Sequence, residues 1–199
     1  MGMLDVSKAV DALSRGELVV YPTDTLYGLG ADIYNEVAVR KVFEIKKRPW
    51  SIPLSIAVSG FKMLEEVAYL DDKAILLAKV FLPGKLTLVL KKKKTISDVV
   101  TGGGDRVAVR IPGNRVALDL ISRFGPITAT SANVHGMETL ADVDGIRKQF
   151  KNQGVSVYLD IGRVAGKPST IVDVSGETIR IIREGEITRR EVLGVIQHG

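Results

Sequence analysis

Five short stretches put hydroxyls, amides and cations at the ends of apolar runs, and they set the chemistry open to this chain. In VVYPTDTLYGLGADIYN, Val19 to Asn35, the apolar run ends at Tyr21 and Thr23, Asp24 and Thr25 follow it, before Tyr27, Gly28 and Gly30. A simple connection needs glycine and proline, but not two hydroxyls, a carboxylate and aromatic rings. In KKRPWSIPL, Lys46, Lys47 and Arg48 stand just before Pro49. RVAVRIPGN ends an alternating run on Arg110, and TATSANVHG crowds Thr128, Thr130, Ser131 and Asn133 at the end of an apolar run. Finally, Ser169 and Thr170 open one run and Arg183 closes the next, before Gly185. Small hydroxyls and main-chain amides hold phosphates, and guanidinium groups suit carboxylates and phosphates. The set is equipped to grip and align anions.

Each stretch also has a plainer reading. Cations ending a helix offset its dipole by roughly 0.3–1 kcal/mol each, which would account for Lys47 alone. Arg110 could make a salt bridge at the edge of a sheet, and Ser131 or Asn133 could cap a helix. The run Lys91 to Lys94 reads as a solvated turn with no aromatic platform beside it, and TGGGD (101–105) as a flexible connection.

Several engines are excluded. No G-x-x-x-x-G-K-[ST] loop is present; in GRVAGKPST the glycines are one residue too close and Pro168 separates Lys167 from Ser169. There is no G-x-G-x-x-G after a strand, no G-x-S-x-G and no H-E-x-x-H. Two histidines, His135 and His198, and no cysteine leave no Ser-His-Asp triad, thiolate or disulfide, and no metal site is expected. The 199 residues, 45% apolar and 26% charged, suit one globular domain over 1–199. A net charge of +5 and a pI near 9.4 fit an anionic partner. With no export signal and no run long enough to cross a bilayer, a cytoplasmic protein without membrane contact is expected.

The elements that must position these residues alternate. Helices are expected at 5–15, from an N-cap at Asn35, at 60–69, 72–82, 115–124 and 142–152, and from about 188. Strands are expected at 17–21, 53–58, 85–91, 107–111, 126–130, 155–160, 170–174 and 178–183, the last two joined through SGE as an antiparallel hairpin. The fold class is α/β, with a twisted mixed sheet flanked by helices.

YPTDTLYGLGAD, KKRPWSIPLSIAV, VAVRIP, TSANVHG and STIVD…IIREG, in this order, resemble the YrdC family of threonylcarbamoyl-AMP synthases over about 16–185. The resemblance implies a large concave basic cavity in a short, single-domain form. It also implies the reaction: L-threonine, bicarbonate or CO2 and ATP give threonylcarbamoyl-adenylate and pyrophosphate. A separate transferase complex then moves the group onto tRNA. By motif, Thr25, Arg110 and Ser169 would meet threonine. Lys46 and Arg48 would meet the triphosphate as the catalytic cations, and Ser131, Asn133, Thr139 and Arg183 would line the nucleotide side, with Mg2+ carried on the phosphates. Two positions depart from the pattern: Ser55-Ile56-Ala57 lacks a histidine found in some members, and VHGMETL has His135 where serine is common. The rivals are a binding module for tRNA or double-stranded RNA, and a domain making carbamoyl-adenylate from carbamoyl phosphate, which sits in longer, cysteine-bearing chains.

Overall fold

Short strands bounded by Pro, Gly and Asn cannot each cover a wide sheet, so the chain builds two. The computed structural model describes residues 5–198, which form, in order, α1 (Ser7–Ser14), β1 (Val19–Pro22), β2 (Tyr27–Gly30), α2 (Glu36–Lys46), β3 (Ser55–Ala57), α3 (Phe61–Val67) and β4 (Ala68–Tyr69). Next come α4 (Asp72–Phe81), β5 (Leu86–Lys92), α5 (Asp98–Thr101), β6 (Arg106–Arg110), α6 (Arg115–Phe124), β7 (Ile127–Thr128) and β8 (Thr130–Ser131). The chain continues through α7 (Val143–Gln149), β9 (Val157–Tyr158), β10 (Thr170–Asp173), β11 (Arg180–Arg183) and α8 (Arg189–His198).

One sheet has the order β8-β2-β1-β9, and the other β11-β10-β5-β6-β3-β7 with β4 also on β5. Parallel and antiparallel pairs occur in both sheets. The class is therefore the α/β one expected, although two sheets replace the single one. The cause lies at 126–130. This run does not stay in one sheet: β7 pairs with β3, the chain turns at Ala129, and β8 pairs with β2. Thr128 stitches the crossing. Its hydroxyl donates to Leu29 O at 2.8 Å and accepts from Ala31 N at 3.0 Å, while its carbonyl accepts from the Tyr21 hydroxyl at 3.0 Å.

Other expectations shift for physical reasons. The stretch after Val19 is not all loop, because Tyr27–Gly30 folds back as β2 and leaves only Thr23–Leu26 as the turn. Gly28 permits this: a Cβ there would meet the Tyr21 ring at 2.9 Å. The TGGGD segment follows a helical turn, α5, which Gly102 ends at φ 62°. Only Val157–Tyr158 of the 155–160 run pairs with a strand. β6 lies between β5 and β3, so Arg110 ends an interior strand and not an edge. Lys91 and Lys92 belong to β5 rather than to a turn, and an aromatic ring does stand beside the run, since Lys93 Nζ lies 3.7 Å from the Tyr69 ring centre. Asn35 caps α2 as expected, its side chain accepting from Ala38 N at 3.1 Å, and β10 and β11 form the expected antiparallel pair.

Two apolar cores support the sheets. The larger joins α2, α3, α4 and β5; the smaller packs Leu13, Tyr21, Leu120, Ile121 and Ile127 beneath α1 and α6. A Thr128→Val substitution keeps the shape but strands the Leu29 carbonyl and the Ala31 amide. Leaving buried polar groups unpaired costs about 1–3 kcal/mol, so a loss of about 2 kcal/mol in urea unfolding is expected, with the m-value unchanged.

Candidate functional site

Cations taken out of water need oxygens around them, and this chain supplies mostly main-chain ones. Between the two sheets lies a cleft of about 480 Å³ lined by Thr25, Arg48, Arg110, Ser131, Thr139, Ser169 and Arg183, together with Tyr21, Tyr27, Thr87 and Thr130. Seven of the nine expected site residues therefore meet in one place. A second hollow of about 420 Å³, beside Tyr69, Lys91 and Glu177, contains none of them.

One end of the cleft is built on the turn between β1 and β2. The Thr23 hydroxyl donates to Leu26 O at 2.6 Å and accepts from Thr25 N at 3.1 Å, which fixes the turn. The Thr25 hydroxyl then lies 3.0 Å from that of Thr23 and accepts from Arg110 Nη1 at 3.1 Å. Arg110 Nη2 donates to Asp24 Oδ1 at 2.7 Å and to Gly84 O at 3.2 Å. Burial lowers the Arg110 pKa, with Asp24 and Tyr21 opposing the shift. Arg183 belongs to this same end. It gives Nε and Nη2 to Ser169 O at 3.1 and 2.8 Å, and burial, then the charge of Arg110, lower its pKa. The Ser169 hydroxyl lies 2.8 Å from that of Thr87.

At the other end, Arg48 donates from Nε to Ile52 O at 3.1 Å and from Nη2 to Pro53 O at 2.9 Å, and burial lowers its pKa. Ser131 ends β8 and Asn133 follows it, and neither caps a helix; the Ser131 hydroxyl donates to Asn133 Oδ1 at 2.6 Å. Lys46 and Asn133 do not line the cleft. Lys46, only 1% exposed, directs Nζ at Ser131 O, Asn133 O and Asn133 Oδ1 at 2.5, 2.6 and 3.3 Å. It pins the Ser131–Asn133 loop from behind, and Arg48 is the cation of that pair that reaches the cleft. Where the expected histidine is missing, Ser55 faces the cleft while Ile56 and Ala57 are buried. His135 is exposed, and its amide donates to Lys46 O at 2.7 Å.

A strap running from Asp160 to Pro168 packs against Tyr27 and Thr25 and reaches the cleft at Pro168. The Tyr27 hydroxyl donates to Gly162 O at 2.7 Å and accepts from Ile161 N at 3.1 Å. A Cβ at Gly166 would come within 2.9 Å of Thr25 O, so only glycine lets the strap lie this close. Thr87 was not among the expected site residues, although its signal was available. It is the one polar position among Leu86, Leu88, Val89 and Leu90, and it faces opposite the leucines. No lining residue is a carboxylate, a histidine or a cysteine. The arrangement can bind and align anions, and its lining holds no carboxylate, histidine or lysine to act as a base for its hydroxyls.

Burial, then the charge of Arg48, push the Lys46 pKa from 10.5 down to about 7. In the unfolded chain the amine keeps its proton up to the ordinary value, so between those two values the unfolded state holds more protons. The burial penalty is therefore largest below about pH 7 and is relieved as pH rises. Urea unfolding of the wild type and of Lys46→Met from pH 7 to 10 is expected to show the wild type gaining stability relative to the variant. A constant difference would mean that Lys46 does not titrate in that window.

Residues 11–185 match the family Sua5_yciO_yrdC, described as telomere recombination. The chain is 43% identical over 174 residues to a putative threonylcarbamoyl-AMP synthase of Methanocaldococcus jannaschii, covering 87% of this chain and 82% of that one. It also resembles the crystal structure of Pyrococcus abyssi Sua5 complexed with L-threonine, at TM-score 0.90 and 38% identity over 95% of this chain, but it spans only 56% of that longer chain. Escherichia coli YciO superposes at TM-score 0.86 with 26% identity, covering 94% of this chain and 92% of YciO. With its motifs gathered around one cleft and nearly its whole length matched, the chain belongs to the Sua5/YciO/YrdC family.

Proposed function

We propose that this chain is a threonylcarbamoyl-AMP synthase, a nucleotidyltransferase that makes threonylcarbamoyl-adenylate and pyrophosphate from L-threonine, bicarbonate or CO2 and ATP. Residues 1–199 would act as one catalytic domain, and its product would pass to a separate tRNA-modifying transferase complex. The observation that carries this reading is the cleft that places Arg110, Thr25 and Ser169 at one end and Arg48, Ser131 and Thr139 at the other. The names of the relatives, and the threonine bound to one of them, agree with it.

In this reading the threonine carboxylate meets Arg110, with the Thr25 and Ser169 hydroxyls beside it. The amine and CO2 join as a carbamate, which needs an uncharged amine and no protein nucleophile. Arg110 and Arg183 together favour that uncharged form, because a further positive charge beside two guanidinium groups is unfavourable. The carbamate oxygen attacks the α-phosphorus and pyrophosphate departs. Arg48, the Ser131 hydroxyl and Thr139 stabilise the phosphates, and Lys46 with Asn133 holds that loop in place. Such a displacement depends mainly on alignment and charge stabilisation. With no carboxylate in the lining, the protein offers no cage for Mg2+; the ion would arrive on the phosphates of ATP and help to neutralise them.

An RNA-binding module without chemistry has less support, because the aromatic rings in the cleft, Tyr21 and Tyr27, are buried and cannot serve as open stacking platforms. Among the described residues no helix is long and apolar enough to cross a membrane, and we assign the chain to the cytoplasm. The test is pyrophosphate release from ATP and Mg2+ with threonine and bicarbonate each supplied or withheld, and serine as a control. Release is expected only with both co-substrates, and weaker with serine. Release with no amino acid supplied, or as fast with serine as with threonine, would sink this reading. Arg48→Ala is expected to lower the rate roughly 100-fold, the scale on which preorganised donors act.

A further inference from the structure

Asp24 sits in the turn between β1 and β2, yet it does not line the cleft. Its Oδ1 accepts from two partners at once: Arg110 Nη2 at 2.7 Å and Gly113 N at 2.9 Å. The Gly113 backbone packs against the Asp24 side chain, with the place a Cβ would take only 3.5 Å from Asp24 Cγ. Gly84 completes the arrangement. It accepts from the same guanidinium at 3.2 Å and is itself tied to the chain after β6 through Gly84 N and Ile111 O at 2.8 Å. Three segments thus converge on one arginine, and Asp24 joins two of them.

The bonds that Arg110 makes determine what it has left to offer. A guanidinium carries five N–H donors. Asp24, Gly84 and Thr25 take three of them, so two remain, on Nη1 and Nε. Arg110 Nε is buried without a partner, and so is Asp24 Oδ2. The ion pair is therefore made through a single leg, with an oxygen and a donor of the same two groups left unmatched. Removing the carboxylate would leave Arg110, 6% exposed, beside Arg183 with no counter-charge.

We propose that Asp24 is a positioning residue for the amino-acid carboxylate. It anchors Arg110 through one oxygen, ties it to the Gly113 loop, and leaves the second Nη1 donor for the substrate. This rests on the reading of the cleft as a threonylcarbamoyl-AMP synthase site. Asp24 touches no reacting atom, so its loss acts on one substrate only. The nucleotide end is built from α2, β8 and the loop after it, none of which Asp24 contacts in these bonds.

The test compares Asp24→Ala and Asp24→Asn with the wild type, by the KM of each substrate in pyrophosphate release and by calorimetric titration of L-threonine alone. Asp24→Ala is expected to raise the threonine KM and dissociation constant at least 10-fold, with the ATP KM within twofold. Asp24→Asn keeps an oxygen for Gly113 N and Arg110 Nη2 but not the charge, and is expected to raise the threonine constants measurably, by less than Asp24→Ala, with the ATP KM unchanged. An unchanged threonine KM in Asp24→Ala, an equal rise for both substrates, or an Asn variant as impaired as Ala would each overturn the proposal. If Asp24→Ala does not fold, Asp24→Asn decides: a threonine-only rise upholds the role, and a shift of both constants or of neither overturns it. A wild-type chain that releases no pyrophosphate refutes the synthase reading. Threonine titration then still tests Asp24, because binding needs no turnover.

Discussion

Four cations, Lys46, Arg48, Arg110 and Arg183, are taken largely out of water around one cleft, and everything near them is arranged to make that tolerable. Burial lowers the pKa of all four. Pairing each with a carboxylate would lower the cost, but it would also neutralise the cleft. The chain instead surrounds them with neutral oxygens: the carbonyls of Ser131 and Asn133, of Ile52 and Pro53, of Gly84, and of Ser169. Among the described residues, Asp24 is the one carboxylate hydrogen-bonded to any of the four. The result is a site that remains positive and is already organised before an anion enters.

That solution dictates why so much of the site is loop. A carbonyl inside a helix or a full sheet ladder already has a partner, so carbonyls free to turn inward come from irregular backbone. The residues after α2, the turn before β5 and the stretch that leaves β8 at Ser131 and runs to Asn133 supply such carbonyls. They hold their shape because neighbouring side chains fix them: Asn133 Nδ2 reaches Val134 O and Met137 O at 3.1 and 2.7 Å, and Gln149 bonds Val134 N and Glu138 O. The two-sheet architecture gives these loops a common space. When the chain leaves β7 for β8 at Ala129, it moves from one wall to the other and carries Ser131 with it.

Most of the regular structure could be read from the sequence because it depends on local pattern. Asn35 before an apolar period announced α2. The second sheet was hidden because its pairs are long-range: β9 joins β1 from more than a hundred residues away through only two residues. β2 was hidden for another reason. Tyr27–Gly30 is half glycine, which weakens a strand signal, yet those glycines are what let the strand lie against the Tyr21 ring. Among the site residues, types at strand ends found Thr25, Arg48, Arg110, Ser131 and Ser169. Whether a cation points into the cleft or behind it depends on tertiary contacts, and Lys46 and Arg48, two residues apart, divide on that point.

The same division explains how a site without histidine or cysteine can be complete. Side chains that make or break bonds must be exposed to the substrate and tuned in pKa. A site that only aligns reactants can place its most costly groups out of reach and use them as scaffolding. Lys46 is the clearest case, because a cation that contacted only solvent-facing anions would not need three protein oxygens. Asp24 is its counterpart at the other end, an anion shielded from the cleft and bound to the cation that faces it. One charge outside the cleft lining therefore stands behind each end, and each sets the geometry of a group that can meet a ligand. The cleft-lining members of the two ends, Arg48 and Arg110, are then free to differ in what they bind, a triphosphate at one and a carboxylate at the other in the proposed reaction.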